Sequence, residues 1–158
     1  MNKRQQLERL MTLRERRQQR AEFALIEQQR SCQAEAERIS TLDDQLSEQR
    51  HAFDQQEQEL FDAMQGASWS AQKLEQVRQA IDDHYQHQAE LNETRQVADR
   101  EYLHQLTERD QRASEWAHQV RARKALEMLL ERRRRTDRLA EEGRAELDLE
   151  DETPRGGH

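Results

Sequence analysis

The chain has little of what a compact globular domain needs. Of its 158 residues, 33% are hydrophobic and 4% are aromatic, whereas a globular domain is about 45–50% apolar. It contains one proline and four glycines, so few residues interrupt a helix. Disordered chains have a similar bulk composition, but an ordered apolar repeat and the scarcity of proline and glycine favour long helices with a thin core.

A single cysteine and the absence of long apolar runs exclude further classes of protein. Cys32 alone cannot form a disulfide framework, and its place on an apolar stripe predicts a small core residue. The longest apolar runs, such as 23–26, are too short to span a membrane. The segment 1–6 does not resemble a signal peptide. We therefore expect a soluble, cytoplasmic protein.

The sequence also lacks the common motifs of catalysis and cofactor binding. It has no Walker loop, no glycine-rich dinucleotide turn, no paired cysteine ligands and no nucleophile motif. His84 and His87 lie one helical turn apart, with His51 at a similar height on the other half of a hairpin, which could suggest a metal site. Because the repeat places His51 on an outward face, we favour solvent-facing histidines. We expect no enzyme activity, no cofactor and no bound metal.

What the chain does have is a seven-residue apolar repeat in two stretches. Seven residues are close to two helical turns, so each stretch forms a narrow apolar seam along one long helix. Such a helix needs a partner to cover its seam. The first seam contains Met11, Leu25, Cys32, Ile39, Leu46, Phe53 and Leu60, and the second contains Leu74, Val77, Ile81, Leu91, Ala98, Tyr102, Leu106, Ala113, Trp116, Val120, Leu126 and Leu130.

A short segment between the two seams predicts a turn. Gly66 can adopt the left-handed conformation that ends many helices, and Ser68 or Ser70 can accept a hydrogen bond from the free amides of the next helix. Trp69 lies beside this turn and either packs across it or is exposed as a contact residue. The turn would allow one helix to fold back on the other.

Together these features predict an all-α fold in which two long helices form an antiparallel coiled-coil hairpin. We expect the first helix over 3–65, the turn over 66–68 and the second helix over 69–147. Residues 1–147 would form one domain, and 148–158 a disordered acidic tail.

The position of the turn also predicts which residues face each other. A bend centred near residue 67 places Phe53 opposite Ile81 and Cys32 opposite Tyr102. We expect the open end, where both termini lie, to fray unless a partner clamps it. The second seam also changes phase at Leu106, Ala113 and Val120, which would relax or shift the supercoil.

The net charge of −7 is unevenly distributed. Residues 1–20 carry seven basic and two acidic side chains, and 121–138 carry eight basic and three acidic ones. In contrast, 21–120 carry nine basic and 21 acidic side chains. A hairpin would therefore have a basic open end and an acidic bend, a separation that affects the choice of partner more than the fold.

The arginine tract 132–135 has three interpretations. It can form ion pairs on a solvated helix face, dock as a basic tip into an acidic protein cavity, or contact nucleic-acid phosphates. The acidity of the whole chain disfavours nucleic acid, and the lack of a broad apolar stripe disfavours a membrane-surface helix. The candidate partner-binding residues are Lys3, Arg4, Arg9, Arg132, Arg133, Arg134, Arg135 and Trp69.

The basic segment 1–10, the break at 66–69 and the arginine-rich segment 126–135 resemble the stalk proteins of type III secretion systems, the YscO/SctO family and its flagellar relative FliJ, over about 1–147. The resemblance implies a non-enzymatic coiled coil whose end with both termini enters the hexameric secretion ATPase and promotes its assembly or turnover. It also implies contacts with the cytosolic domain of the export-gate protein and with translocator chaperones.

The resemblance further implies a monomer on the cytoplasmic side of the inner membrane, peripheral to a virulence-associated secretion apparatus, without membrane insertion or nucleic acid. An alternative is a generic dimeric coiled-coil scaffold without a link to an ATPase, whose helices run through residue 66 and pair between chains. A third hypothesis is a nucleic-acid binder that uses the arginine tract.

Overall fold

The computed structural model describes residues 2–66 and 68–152. These residues form two helices, α1 (Lys3–Met64) and α2 (Ala71–Glu152), and no strand. The two helices pack against each other, which confirms the predicted all-α fold of two long helices. The chain forms two compact units: a bend unit, Ile26–Gln111, and a terminal unit, which contains the described residues up to Leu25 and from Arg112 onward.

Polar side chains cap the start of each helix. Asn2 Oδ1 accepts a hydrogen bond from the Gln5 amide at 2.8 Å, and Ser70 Oγ accepts one from the Lys73 amide at 3.2 Å. These bonds satisfy amides that have no partner within the helix. The predicted serine cap is confirmed at Ser70, and it explains why α2 begins at Ala71 and not at residue 69.

The burial of α1 follows the predicted heptad. Its buried residues are Ala21, Cys32 and Leu42, each at most 8% exposed, and the prediction that Cys32 is a small core residue is confirmed. The a and d positions of one heptad are buried or half-buried at residues 7, 11, 14, 18, 21, 25, 28, 32, 35, 39, 42, 46, 49, 53 and 60.

The seam of α2 keeps one heptad register along most of the helix. Ala98 is fully buried, and Leu126 and Leu130 are 6% and 8% exposed. Leu74, a predicted seam residue, is 45% exposed. The predicted change of phase is not observed, because the register continues past Leu106, Ala113 and Val120, which are half-buried beside it. The buried or half-buried positions of this register are 77, 81, 84, 88, 91, 95, 98, 102, 105, 109, 116, 119, 123, 126 and 130.

The pairing of the helices in the bend unit is shifted by about one turn from the predicted one. Phe53 stacks on His84, and the Cys32 thiol donates to the Gln105 carbonyl, in both cases three residues beyond the predicted partner. Phe53 also lies near its predicted partner, since Phe53 and Ile81 line one pocket, whereas the expected pairing of Cys32 with Tyr102 is corrected to Gln105. The physical reason is the connection between the helices, in which the described residues 65, 66 and 68–70 are non-helical, so it is longer than the predicted turn over 66–68.

Two predicted helix ends are also corrected. Gly66 does not have a positive φ, so α1 ends at Met64 without a left-handed glycine. α2 continues to Glu152, so 148–152 are helical and not disordered. The segment 144–152 contains no glycine or proline, so none of its residues interrupts the helix. The rest of the predicted tail, 153–158, lies outside the described residues.

Candidate partner-binding site

The terminal unit brings together basic side chains from the two ends of the sequence. Lys3 and Arg133 line one groove, together with Gln6, Leu7 and Leu10. Arg4, Arg133 and Arg134 line a second groove, together with Glu8, Leu130 and Asp137. The antiparallel packing of the start of α1 on α2 thus creates a basic cluster, which we define as Lys3, Arg4, Arg133 and Arg134.

Much of the charge of this region is not neutralised within the chain. Arg135 forms an ion pair with Glu131 at 3.8 Å, and Arg4 forms one with Glu8 at 3.5 Å. Within the described residues, Arg132, Arg133 and Arg134 form no ion pair. The predicted ion pairing within the tract therefore holds for Arg135, and the other three arginines keep a positive field that an acidic surface can meet.

The remaining candidate residues lie outside this cluster. Arg9 lines a groove on α1 with Gln5, Glu8 and Thr12, and neither of the grooves of the basic cluster includes Arg132 or Arg135. Trp69 belongs to the bend unit and is half-buried. Its ring lies 4.9 Å from Lys73 Nζ, a cation–π contact.

A second basic groove in the terminal unit was not predicted. Arg17, Arg20 and Arg112 line it, together with Ala21, Ala24, Glu115 and Gln119. None of these three arginines forms an ion pair within the described residues. The sequence alone shows that Arg17 and Arg20 share one helix face, because they are three residues apart. It does not show that they approach Arg112, which depends on the packing of α1 against α2.

The bend unit has a different chemistry, in which polar seam residues bond across the two helices. Gln28 Nε2 donates to the backbone oxygen of Gln105 at 3.1 Å and also to its side-chain oxygen. Arg95 donates to Asp43 on the facing helix. The hydrogen bond and the charge of Asp43 raise the pKa of the Arg95 guanidinium, so this cation stays protonated at any ordinary pH.

The histidines of the bend unit contact separate partners. His84 stacks on Phe53, with ring centres 3.7 Å apart. His87 Nε2 lies 2.9 Å from Gln49 Nε2, and His51 lies 3.3 Å from Gln55 on its own helix. Over residues 2–66 and 68–152, no group of three or more histidine, cysteine, aspartate or glutamate side chains is placed to hold a metal ion.

Two further findings bear on the identity of the chain. None of the described residues belongs to a helix with the length and apolarity needed to cross a lipid bilayer. No family model, curated protein or solved structure matches this sequence.

Proposed function

We propose that this chain is a non-enzymatic stalk and adaptor of a type III secretion system, which inserts its basic cluster into the hexameric secretion ATPase. The observation that carries the proposal is the meeting of Lys3 and Arg4 with Arg133 and Arg134 within the terminal unit. The uncompensated charge of Arg133 and Arg134 fits a ring pore lined by acidic groups. The resemblance of 1–10, 66–69 and 126–135 to stalk proteins supports the same function.

The mechanism in this proposal is mechanical and allosteric. A pair of helices cannot present the same surface to six ring subunits, so neighbouring subunits meet different side chains. Contacts of unequal strength shift the subunits toward different nucleotide states, provided that the stalk binds those states with different affinities. Such contacts would promote ring assembly or ATP turnover without any catalytic group on the stalk.

The other proposed partners fit the acidic half of the molecule. The bend unit carries eight basic and 19 acidic side chains, and in this proposal it faces the cytosolic domain of the export-gate protein. Translocator chaperones are the third class of proposed partner. The protein would then work in the cytoplasm beside the secretion apparatus at the inner membrane.

The test is the ATP turnover and ring assembly of the secretion ATPase with and without this chain. We expect the wild-type chain to raise both, and the variant Arg133→Glu with Arg134→Glu to raise neither. The matched control is Arg30→Glu with Arg50→Glu, which makes the same charge change at exposed arginines of the bend unit that form no ion pair among the described residues. Unchanged turnover and assembly with the wild-type chain at every physiological salt concentration would refute the mechanism.

The structure does not support the alternative of a dimeric scaffold with continuous helices. That arrangement requires one helix to run through residue 66, but α1 ends at Met64 and α2 begins at Ala71. The two helices of one chain already cover each other's seams. These observations favour the folded-back chain over a pairing of that form between chains.

A further inference from the structure

The last turns of α2 extend beyond the residues that contact α1. The grooves that α1 forms with its first residues reach Asp137 on α2, and α2 continues to Glu152. We call 138–152 the overhang. All of its residues are exposed except Gly143, which is half-buried, and Leu139 and Leu147 are 68% and 60% exposed.

One face of this helix carries a stripe that is complementary to itself. Steps of four residues place Arg135, Leu139, Gly143, Leu147 and Asp151 along one ridge. The ridge is basic, apolar, small, apolar and acidic in turn. A two-fold axis at Gly143 places a second copy of the ridge against the first. Arg135 of each copy then faces Asp151 of the other, and Leu139 faces Leu147. Such self-complementarity is the condition for an interface between identical surfaces.

The charges that flank the stripe obey the same symmetry. In an antiparallel pair centred on Gly143, no position from 134 to 152 faces a like charge. A parallel pair would instead set Arg135 and Asp151 each against its own copy, which is unfavourable. Beside the stripe, Glu142 and Arg144 are the equivalent positions of opposite charge, whereas Arg134, Arg138, Asp148 and Glu152 lie on the far face of the helix.

Gly143 supplies an independent argument for the close approach of another helix. It lies inside α2, where glycine costs about 0.5–1 kcal/mol relative to alanine. A Cβ built on Gly143 meets no atom within 4 Å, so the packing of this chain does not require the glycine. Two helices that cross at their ridges approach most closely at the crossing point, and a glycine there allows the contact.

We propose that two copies of this chain associate through their overhangs, as an antiparallel helix pair that crosses at Gly143. Each copy contributes two leucines and a few ion pairs, a contact below the range of about 1,200–2,000 Å² that stable dimers bury. The dimer is therefore weak and sensitive to salt, and the expected monomer is the form of dilute protein.

The test is the sedimentation of the full chain over increasing concentration, at low and at high salt. We expect a monomer–dimer equilibrium that shifts toward monomer as salt rises. Arg135→Asp or Asp151→Arg alone places two like-charge pairs in the symmetric interface, so each should lower the association constant about tenfold. Circular dichroism confirms that each variant keeps its helix content.

Two further arms distinguish this interface from unspecific association. The double variant Arg135→Asp with Asp151→Arg, and an equimolar mixture of the two single variants, should both restore association, because each again pairs opposite charges at both ends. The control Arg132→Asp should leave it unchanged, since Arg132 faces no charge in the proposed pair. A chain that remains monomeric at every concentration at low salt overturns the proposal, and so does association that responds to none of these charge changes.

Discussion

The bend unit and the terminal unit are both built from α1 packed on α2, but they hold the two helices together in different ways. In the bend unit, polar residues of the seam bond across it: Gln28 and Cys32 to Gln105, and Arg95 to Asp43. Such bonds form only in one alignment of the helices, so they fix the pairing as well as stabilise it.

The terminal unit lacks such bonds and buries polar atoms without partners. Between residues 2–25 and 112–148 there is no side-chain hydrogen bond or ion pair from α1 to α2. Atoms without a hydrogen-bond partner are Gln18 Oε1, Trp116 Nε1, Gln119 Oε1 and Arg123 Nε, against Glu35 Oε2 and Gln49 Oε1 in the bend unit. Because a buried polar atom without a partner is unfavourable, the terminal unit should open more easily, and it is also the unit that carries the basic cluster.

The largest expected effect comes from a charge placed at the most buried residue of the bend unit. Ala98 is 0% exposed, so Ala98→Asp buries a carboxylate without a partner and should lower the free energy of unfolding by about 3 kcal/mol or more. Urea unfolding followed by circular dichroism measures it. The control is Ala89→Asp, on an exposed face of the same helix; equal losses for both variants would contradict the burial of Ala98.

The next effect has the opposite sign and distinguishes the two units. Gln18→Leu with Gln119→Leu removes two unpartnered polar atoms from the terminal unit and should raise the free energy of unfolding by about 1–3 kcal/mol. The matched change in the bend unit, Gln28→Leu with Gln105→Leu, removes a bonded pair and should be nearly neutral. Calorimetry on both double variants measures the change in the free energy of unfolding. A gain of the same size in both would contradict the difference between the two units.

A smaller effect is expected from the ion pair that crosses the bend unit. Asp43→Asn removes the carboxylate that binds Arg95, but both side chains are partly exposed, so the loss of stability should be small and should fade as salt rises. Asp44→Asn changes the charge equally at an exposed neighbour that forms no ion pair among the described residues. A loss that is the same at low and high salt would contradict an electrostatic origin.

The smallest effect concerns an exposed pair within one helix. The hydrogen bond and charge of Arg78 lower the pKa of Glu75. A carboxylate with a lowered pKa stabilises the fold above its unfolded pKa, and this contribution is lost as the pH falls through its folded pKa. NMR titration should show the lowered pKa in the wild-type chain and its return to the usual range in Arg78→Gln; an unchanged value would argue against the pair.

The fold could be predicted from the sequence because the heptad determines which face of each helix is buried. The predicted seam located the burial of Cys32 without knowledge of the partner, but it did not include Ala21 and Leu42, which are buried on the same face of α1. The alignment of the helices could not be predicted in the same way. A repeat of seven residues allows many pairings, and the observed one depends on the length of the connection and on cross-helix bonds such as that of Gln28 to Gln105.

The candidate site was predictable only in its composition. Counting charges located two basic segments and predicted that they meet. It could not tell that Arg133 and Arg134 join Lys3 and Arg4 while Arg9 lies in another groove, because that depends on the helix faces that pack together. The groove of Arg17, Arg20 and Arg112 was missed because Arg112 is far in sequence from the other two arginines.

The most direct test of the difference between the units is amide hydrogen exchange along the isolated chain. Exchange reports the free energy of local opening, so the account predicts slower exchange for Ile26–Met64 and Ala71–Gln111 than for the seam residues of the terminal unit, Leu7–Leu25 and Arg112–Leu130. Equal protection in both units, or greater protection in the terminal unit, would contradict it.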